Sequence, residues 1–433
     1  MLAQTGRSAT SGRGRIRARN ALVVVQVALA LLLLTGAGLM ARSFAHLRSV
    51  HPGFDAPATL TFRVALPSRD YAQPGTAARF LVSAVDGIAA LPGVSAVGVV
   101  TKLPLDAEAR RDSALWVEDR PLPAGGMPNI HQVAFATPDY FRALGIPLIQ
   151  GRAFEPPDPS RMRREVIVSR ALAARYWTDG RAVGRRVRMA PTGPWYTVVG
   201  VTGDVRGTGL DQPPDEMVYL PIVVALGDPA GAAAGDDAAA GALWTPREVA
   251  VVVRSVVPGV LPDAGAVAPL AARAEAVVRA LDAAIPVYRV RAMTDIVAEA
   301  TSRTTFTLLL LGAASAVALA LGAVGIYGVI SYVVSLRTRE IAIRLALGAR
   351  PTDVRRMISR QALATTALGI VLGVAGAAAL TRVLSALLFG VSPTDPVALG
   401  GAAVLLLVVA VAASWLPAHR AARVAPARAL RAE

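Results

Sequence analysis

The sequence predicts an α-helical membrane protein with four transmembrane helices and a large mixed α+β domain inserted after the first helix. Three observations predict it. The chain of 433 residues is 54% hydrophobic and only 17% charged, where a soluble protein is about a quarter charged. Its apolar residues gather into four runs without a charged side chain: Ala21–Ala41, Thr304–Leu336, Gln361–Thr381 and Val397–Pro417. Its arginines crowd the short segments beside those runs.

Each run reaches the roughly 20 residues a helix needs to cross a hydrocarbon core. Backbone groups in lipid must be satisfied internally, so the runs are expected to be helices. A single run could be a buried core helix; four in one chain point to a membrane. The first run follows Arg13, Arg15, Arg17 and Arg19, as a signal peptide would, but its apolar segment exceeds the usual h-region. The A-x-A at Ala28–Ala30 lies mid-run before four leucines. An uncleaved span is expected.

The net charge of +15 has a definite location. The first tail carries Arg7 and the four arginines just named. The segment between the second and third runs carries Arg337, Arg339, Arg344, Arg350, Arg355, Arg356 and Arg360, and the last tail carries Arg420, Arg423, Arg428 and Arg431. Only Glu340, Asp353 and Glu433 oppose them there. The insert between Arg42 and Arg303 is nearly neutral, and the link between the third and fourth runs holds Asp395. This alternation is the positive-inside pattern. Both tails and the basic link are expected in the cytoplasm, and the insert and the Asp395 link on the other side. The charge is a topology signal first, a contact for anionic lipid second, and a nucleic-acid signal a poor third; no nucleic-acid partner is expected.

The expected segments are a basic tail over 1–20, a helix over 21–41, the α+β domain over 42–303, a helix over 304–336, a basic link over 337–360, a helix over 361–389, a short loop over 390–396, a helix over 397–417 and a tail over 418–433. The chain has no cysteine, so the inserted domain must be stabilised by its own core. At about 260 residues it is large enough for one, divided into two lobes.

Within the insert, strands are expected at Thr59–Leu66, Val94–Val100, Ile130–Ala136, Val166–Val168, Val249–Arg254 and Pro286–Val290, with a hairpin from Arg185–Met189 and Tyr196–Val205. Helices are expected at Thr76–Leu91, after a Thr137 N-cap with Pro138 in the first turn, from a Ser169 N-cap to Trp177, and at Pro269–Ala284 with its proline first. Gly227–Leu243, mostly Ala, Gly and Asp, reads as a flexible loop, and Pro121–Pro128 as a linker.

Thr338–Leu347 reads as a short helix between two spans. Ile341 and Leu345 lie on one flank, and Arg337, Glu340 and Arg344 on the adjoining one. Gly348 follows where a left-handed cap is expected, and Pro351 opens a new helix. Such a helix is either a mechanical coupling element or an interfacial helix resting on lipid, and spacing leaves both open. Gly369 and Gly373, extended by Ala377, form a small-residue stripe for close helix packing, as do Ala314, Ala318 and Gly322.

No charge lies in the middle of a span, which argues against an ion-coupled transporter or channel. The sole lysine, Lys102, follows Thr101, so the chain has no G-x-x-x-x-G-K-[ST] loop for nucleotide. His46, His51, His131 and His419 lie in unrelated settings with no metal-ligand spacing. No catalytic, cofactor-binding or metal site is expected.

Several motifs resemble those of a known family. Arg339-Glu340-Ile341-Ala342-Ile343-Arg344-Leu345-Ala346-Leu347-Gly348-Ala349 looks like the R-E-I-x-I-R-x-A-L-G-A signature of FtsX/MacB-type ABC permeases. Leu388–Pro396, Pro417–Pro426 and Ala429–Glu433 continue that likeness. Asn20–Ala30 and His51–Asp55 resemble one half of the acidobacterial duplicated orphan permeases, as do Tyr140–Leu148, Gly151–Phe154 and Val198–Val201. The resemblance implies one span, a MacB-like periplasmic core domain and an FtsX-like permease domain over 304–433, in the bacterial inner membrane. It implies a homodimer or a paired permease half, working with a separate ABC ATPase and a periplasmic adaptor. The helix around Arg339, Glu340, Ile341, Ile343, Arg344, Leu347, Gly348 and Ala349 would sit in the ATPase cleft. The duplicated orphan permeases carry two such repeats and this chain one, making it a fragment or a half that pairs. His419 and Ala425 stand where Arg and Asp are usual.

Two functions follow as expectations. One is a permease subunit that transmits force from the ATPase to the periplasmic domain for efflux or envelope transport. The other is a membrane-anchored periplasmic binding or scaffold protein without an ATPase partner. An enzyme is a distant third for want of a site.

Overall fold

The computed structural model describes residues 8–106, 111–123, 125–156, 164–222, 224–225, 243–255, 264–347, 350–380, 390–392 and 394–421. The chain divides into two compact units, one of residues 50–302 and one of residues 1–49 with 303–433.

The second of these contains the four expected apolar helices. They are α1 (Ser8–Ser49), α6 (Met293–Leu336), α8 (Pro351–Ala379) and α9 (Pro396–Ala421), with the short α7 (Thr338–Ala346) between α6 and α8. Every fourth residue or so of α8 turns inward: Val354, Ile358, Ala362, Thr366, Gly369, Gly373 and Ala377. Ala398, Ala402, Leu406, Ala410 and Ser414 do the same on α9. The outward faces stay apolar, as at Leu309, Val324, Val371 and Val404, each at least 60% exposed. That surface suits hydrocarbon and would be prohibitive in water. α9 starts on a built cap: Asp395 Oδ1 accepts from Val397 N at 2.8 Å and Ala398 N at 3.2 Å, and Pro396 follows it. The same carboxylate pairs with Arg42 of α1 at 2.7 Å.

The other unit contains the strands β1 (Thr59–Ala65), β2 (Val94–Val100), β3 (Asp112–Val117), β4 (Asn129–Ala136), β5 (Leu148–Gly151), β6 (Glu165–Ser169), β7 (Arg186–Arg188), β8 (Tyr196–Thr202), β9 (Met217–Pro221), β10 (Val224–Ala225), β11 (Leu243–Trp244), β12 (Glu248–Ser255) and β13 (Val287–Ala292). Its helices are α2 (Pro74–Ala89), α3 (Tyr140–Leu144), α4 (Arg170–Tyr176) and α5 (Ala264–Leu281).

The strand order β13-β1-β12-β2, all antiparallel, with α2 and α5 as the two crossovers, is the βαββαβ arrangement of ferredoxin-like domains. Its second half is separated from its first by everything between β2 and β12. That intervening chain makes a ring, β4-β3-β7-β8-β6-β9, closed by parallel pairing of β9 with β4. The domain therefore has two lobes, joined through the Val100↔Ala136 pair of β2 and β4.

Two cores lie on opposite faces of the sheet. Val249, Val251 and Val253 of β12 point into one, with Leu81 and Ile88 of α2 and Ala274 and Val278 of α5. Ala250 and Val252 point into the other, with Tyr140, Phe141 and Leu144 of α3. A strand covered on both faces reads as a continuous apolar run, which explains the V-A-V-V-V of β12. Gly98 of β2 is where α3 comes closest: a Cβ there would stand 2.3 Å from Tyr140 Cα.

Several local expectations change. Thr137 does not cap α3; its hydroxyl accepts from Val99 N at 2.8 Å, and Asp139 occupies the cap position. A threonine hydroxyl offered an unpaired strand amide serves it in preference to a helix end. Helix α5 begins at Ala264, so Pro269 lies inside it, where the amide it lacks removes one bond near the start. Pro121–Pro128 joins β3 to β4 within one lobe and does not link domains. Of Gly227–Leu243 only Leu243 is described, in β11 paired with β10. Helix α6 starts eleven residues before the apolar run.

Candidate functional site

Helix α7 follows α6 after a single residue. Thr338 Oγ1 donates to Val334 O at 2.9 Å, and Arg337 N to Val333 O at 3.1 Å, so the turn keeps both helix ends satisfied. Ile341 and Ala342 are buried at 2% and 0% exposure, and Ile341 joins Val354 and Ile358 of α8 in the bundle core. This anchor sets the orientation of α7. Residues spaced three and four apart on its far side then share one outward face: Glu340, Ile343, Arg344 and Leu347. Ile343 is 43% and Leu347 82% exposed. Arg344 pairs with Glu340 at 2.6 Å and approaches Met357 Sδ at 3.1 Å. Both charged groups are half exposed, so the pair orders the face and adds little stability.

Sequence reasoning placed Ile341 among the coupling residues, yet it faces the bundle and holds α7 in place. Arg339 belongs to α7. Gly348 and Ala349 lie outside the described residues. On the far side of Pro351, Arg350 is the N-cap residue of α8, extended at φ −72° and ψ 143°.

Gly369 and Gly373 lie where α8 meets α1. A Cβ on Gly369 would stand 2.7 Å from Val27 Cβ and 3.0 Å from Val24 O, and one on Gly373 2.7 Å from Leu31 Cδ2 and 3.0 Å from Ala28 O. Hydrogen in place of a side chain is what lets these backbones approach. On α6, a Cβ on Gly322 would meet nothing within 4 Å, while Ala318 packs against the bundle core.

The external domain contains one constellation of catalytic appearance. His131 Nε2 lies 2.7 Å from Tyr176 Oη, its Nδ1 3.0 Å from Glu216 Oε2, and Glu216 Oε1 3.0 Å from Arg175. Asn129 Nδ2 donates to the same Tyr176 oxygen at 3.1 Å. His131 is 5% and Tyr176 8% exposed, so no substrate reaches either, and the network ties α4 to β4 and to the start of β9. The residues are separated by about 40 positions in each step, beyond any motif. Among the described residues no cluster of three His, Cys, Asp or Glu could hold a metal.

Burial holds the His131 imidazole below its ordinary value of 6.5, with Glu216 working against that shift. The unfolded chain then binds a proton at a pH where the folded chain does not, so stability falls as pH drops below about 6.5. The external domain is expected to melt at a lower temperature near pH ~5.5 than near ~7.5. His131→Gln should reduce that difference, followed by tryptophan fluorescence of the full chain in detergent.

Four helices long and apolar enough to cross a membrane, a two-lobed domain inserted after the first and a short helix between the second and third make up the architecture. The chain belongs to the MacB/FtsX family of ABC transporter permeases: residues 21–266 match the MacB-like periplasmic core domain and residues 312–426 the FtsX-like permease C-terminal domain. It is 37% identical over 136 residues to the pyoverdine export ATP-binding/permease protein PvdT of Pseudomonas savastanoi pv. phaseolicola, covering 31% of this chain and 21% of that one. It is 37% identical over 123 residues to the macrolide export ATP-binding/permease protein MacB of Nitrobacter winogradskyi, covering 28% and 19%. The chain thus aligns with 21% and 19% of the length of these relatives. Among solved structures, the periplasmic region of MacB from Actinobacillus actinomycetemcomitans covers 56% of this chain and 93% of its own, at 12% identity and a TM-score of 0.31. The extracellular domain of the ABC-type transporter YknZ from Gram-positive bacteria covers 53% and 100%, also at 12% identity and 0.31.

Proposed function

We propose that this chain is the permease subunit of an ABC transporter, passing force from a separate ATPase to the periplasmic domain for efflux or envelope transport. The outward face of α7 carries this reading. Two exposed apolar side chains beside an ion pair suit a protein cleft better than solvent, and the buried Ile341 makes any displacement of α7 a displacement of α8. Helix α6 also runs unbroken from the last strand of the external domain through the second apolar run. The arginine distribution supports both termini and α7 in the cytoplasm. Pairing with a second copy or another permease half would present two α7 helices to an ATPase dimer, and an adaptor would meet the periplasmic domain.

The test is a pull-down of the tagged full chain from native membranes, assayed for co-purifying ATP hydrolysis. Wild type is expected to bring down an ATPase, and Arg344→Glu with Leu347→Asp to lose at least about tenfold of it, since interface hot spots are worth about 2 kcal/mol or more each. Undiminished ATPase in that variant would sink the coupling role of α7. No ATPase with the wild type would favour the anchored binding or scaffold protein.

A further inference from the structure

Several arginines meet carboxylates of the same chain: Arg152–Glu165 at 2.6 Å, Arg170–Asp204 at 2.9 Å and Arg175–Glu216 at 3.0 Å in the external domain, and Arg42–Asp395 at 2.7 Å and Arg344–Glu340 at 2.6 Å in the helix bundle. At the basic end of the helix bundle, Arg19 of α1 and Arg420 of α9 have no carboxylate partner among the described residues; both converge on the last turns of α6. The Arg19 guanidinium lies 4.2 Å from the centre of the Tyr332 ring. An Arg420 nitrogen lies 3.5 Å from Tyr327 Oη. One turn back on α9, Trp415 is 60% exposed and stacks on His419, with ring centres 5.5 Å apart. At the same end, Asn20 Oδ1, beside Arg19, and His419 Nδ1, beside Arg420, are buried with no hydrogen-bond partner among the described residues.

Two guanidiniums without a carboxylate partner among the described residues, set among two tyrosines and a tryptophan, suit an anion at a particular depth. Tyr and Trp rings settle at the headgroup level of a bilayer, and arginine recognises phosphate oxygens with paired N–H donors. An acidic protein surface would satisfy the charge but would leave an exposed tryptophan facing water.

We infer that the basic ends of α1, α6 and α9 form a binding site for the phosphodiester headgroup of an anionic phospholipid, with Arg19 and Arg420 as its cations and Tyr327, Tyr332 and Trp415 setting its depth. The site belongs to the cytoplasmic leaflet under the orientation proposed above and rests on that orientation for its leaflet only. Lipid held there would keep the basic ends of α1 and α9 against the same end of α6 that leads directly into α7.

The experiment is native mass spectrometry of the full chain in detergent, titrated with phosphatidylglycerol, phosphatidylcholine or inorganic phosphate. Phosphatidylglycerol is expected to stay bound where phosphatidylcholine does not. Each arginine near a membrane surface is worth about a fivefold change in affinity, so R19Q/R420Q should weaken phosphatidylglycerol binding about thirtyfold. R19K/R420K should recover most of it, and R120Q, which removes an exposed external arginine, should change nothing. A thermal melt equal to wild type shows that R19Q/R420Q remains folded; should it not, the singly substituted R19Q and R420Q carry the same expectation at about fivefold each. Equal retention of both lipids, undiminished binding by the glutamine variants, or displacement by millimolar phosphate would overturn the proposal. None of these readings depends on an ATPase, so failure here is distinct from failure of the coupling role.

Discussion

Asp215→Ala is expected to destabilise the external domain by about 3–5 kcal/mol, the cost of breaking a buried ion pair from one side. The cation of the pair is the ammonium of Lys102, the only lysine in the chain. It lies 3.7 Å from Asp215 Oδ2, with side-chain exposures of 5% and 6%. Gln132 of β4 accepts a hydrogen bond from Lys102, and Thr208 Oγ1 donates to Asp215 Oδ1 at 2.9 Å. The backbone of Asp215 is held as well: its amide donates to Val205 O at 3.0 Å, and its carbonyl accepts from Ser169 Oγ at 3.1 Å. This network fixes the start of β9, the strand that closes the ring. Removing the carboxylate takes the Asp215 counter-charge from the buried ammonium. Removing both charges in Lys102→Met with Asp215→Asn should restore most of the loss, because a well-filled neutral pair replaces a buried ionic one at little cost. Trp116, Trp177, Trp195 and Trp244 lie in the external domain, so the fluorescence melt of the full chain reports on it. A double variant no more stable than Asp215→Ala would show that the charge pair is not the reason.

Leucine at Gly369 and Gly373 is expected to separate α8 from α1, at about 1–3 kcal/mol per site. The obstruction at each glycine includes a backbone carbonyl, Val24 O or Ala28 O, which cannot rotate aside as a side-chain tip would. Lipid offers no hydrophobic gain for closing the gap again, since its tails are as apolar as leucine. Gly376 lies against Leu32, where an added Cβ would stand 3.4 Å from Leu32 Cδ1. The chain has no native cysteine, so L32C/G376C gives an unambiguous cross-link. It should form readily alone and fail once Gly369 and Gly373 are both leucine. Gly400, where an added Cβ would meet nothing within 4 Å, supplies the control: Gly400→Ala should leave the cross-link unchanged.

The bundle was legible in the sequence because hydrocarbon imposes a simple rule, a long uncharged run. The central strands were legible for a related reason, since Val94–Val100 and Val249–Arg254 are β-branched runs bounded by breakers. β3 and β9 were not. Asp112–Val117 and Met217–Pro221 are short and lack alternation, and each is a strand because the ring needs it. The parallel pairing of β9 with β4 joins residues about 85 positions apart, which no local periodicity encodes. Helix α6 begins early because Asp295, Glu299 and Arg303 interrupt the apolar run without interrupting the helix; charge ended the expected span, but it does not end backbone hydrogen bonding. On α7 the motif identified a segment, and only the burial of Ile341 separated the residues that anchor it from those that face outward. The histidine network was invisible because its members come from three elements that meet only in the fold.

The pairing of β1 with β13 has one more implication. Leu60 stands opposite Ala292, so the polypeptide comes into the external domain and departs from it on neighbouring strands, about 5 Å apart. A domain tethered in this way is a cassette. A foreign domain whose first and last strands are likewise neighbours could be joined at the same two points. Lineages that remodel what lies outside the membrane while conserving the machinery within it have, in this topology, an inexpensive route to do so.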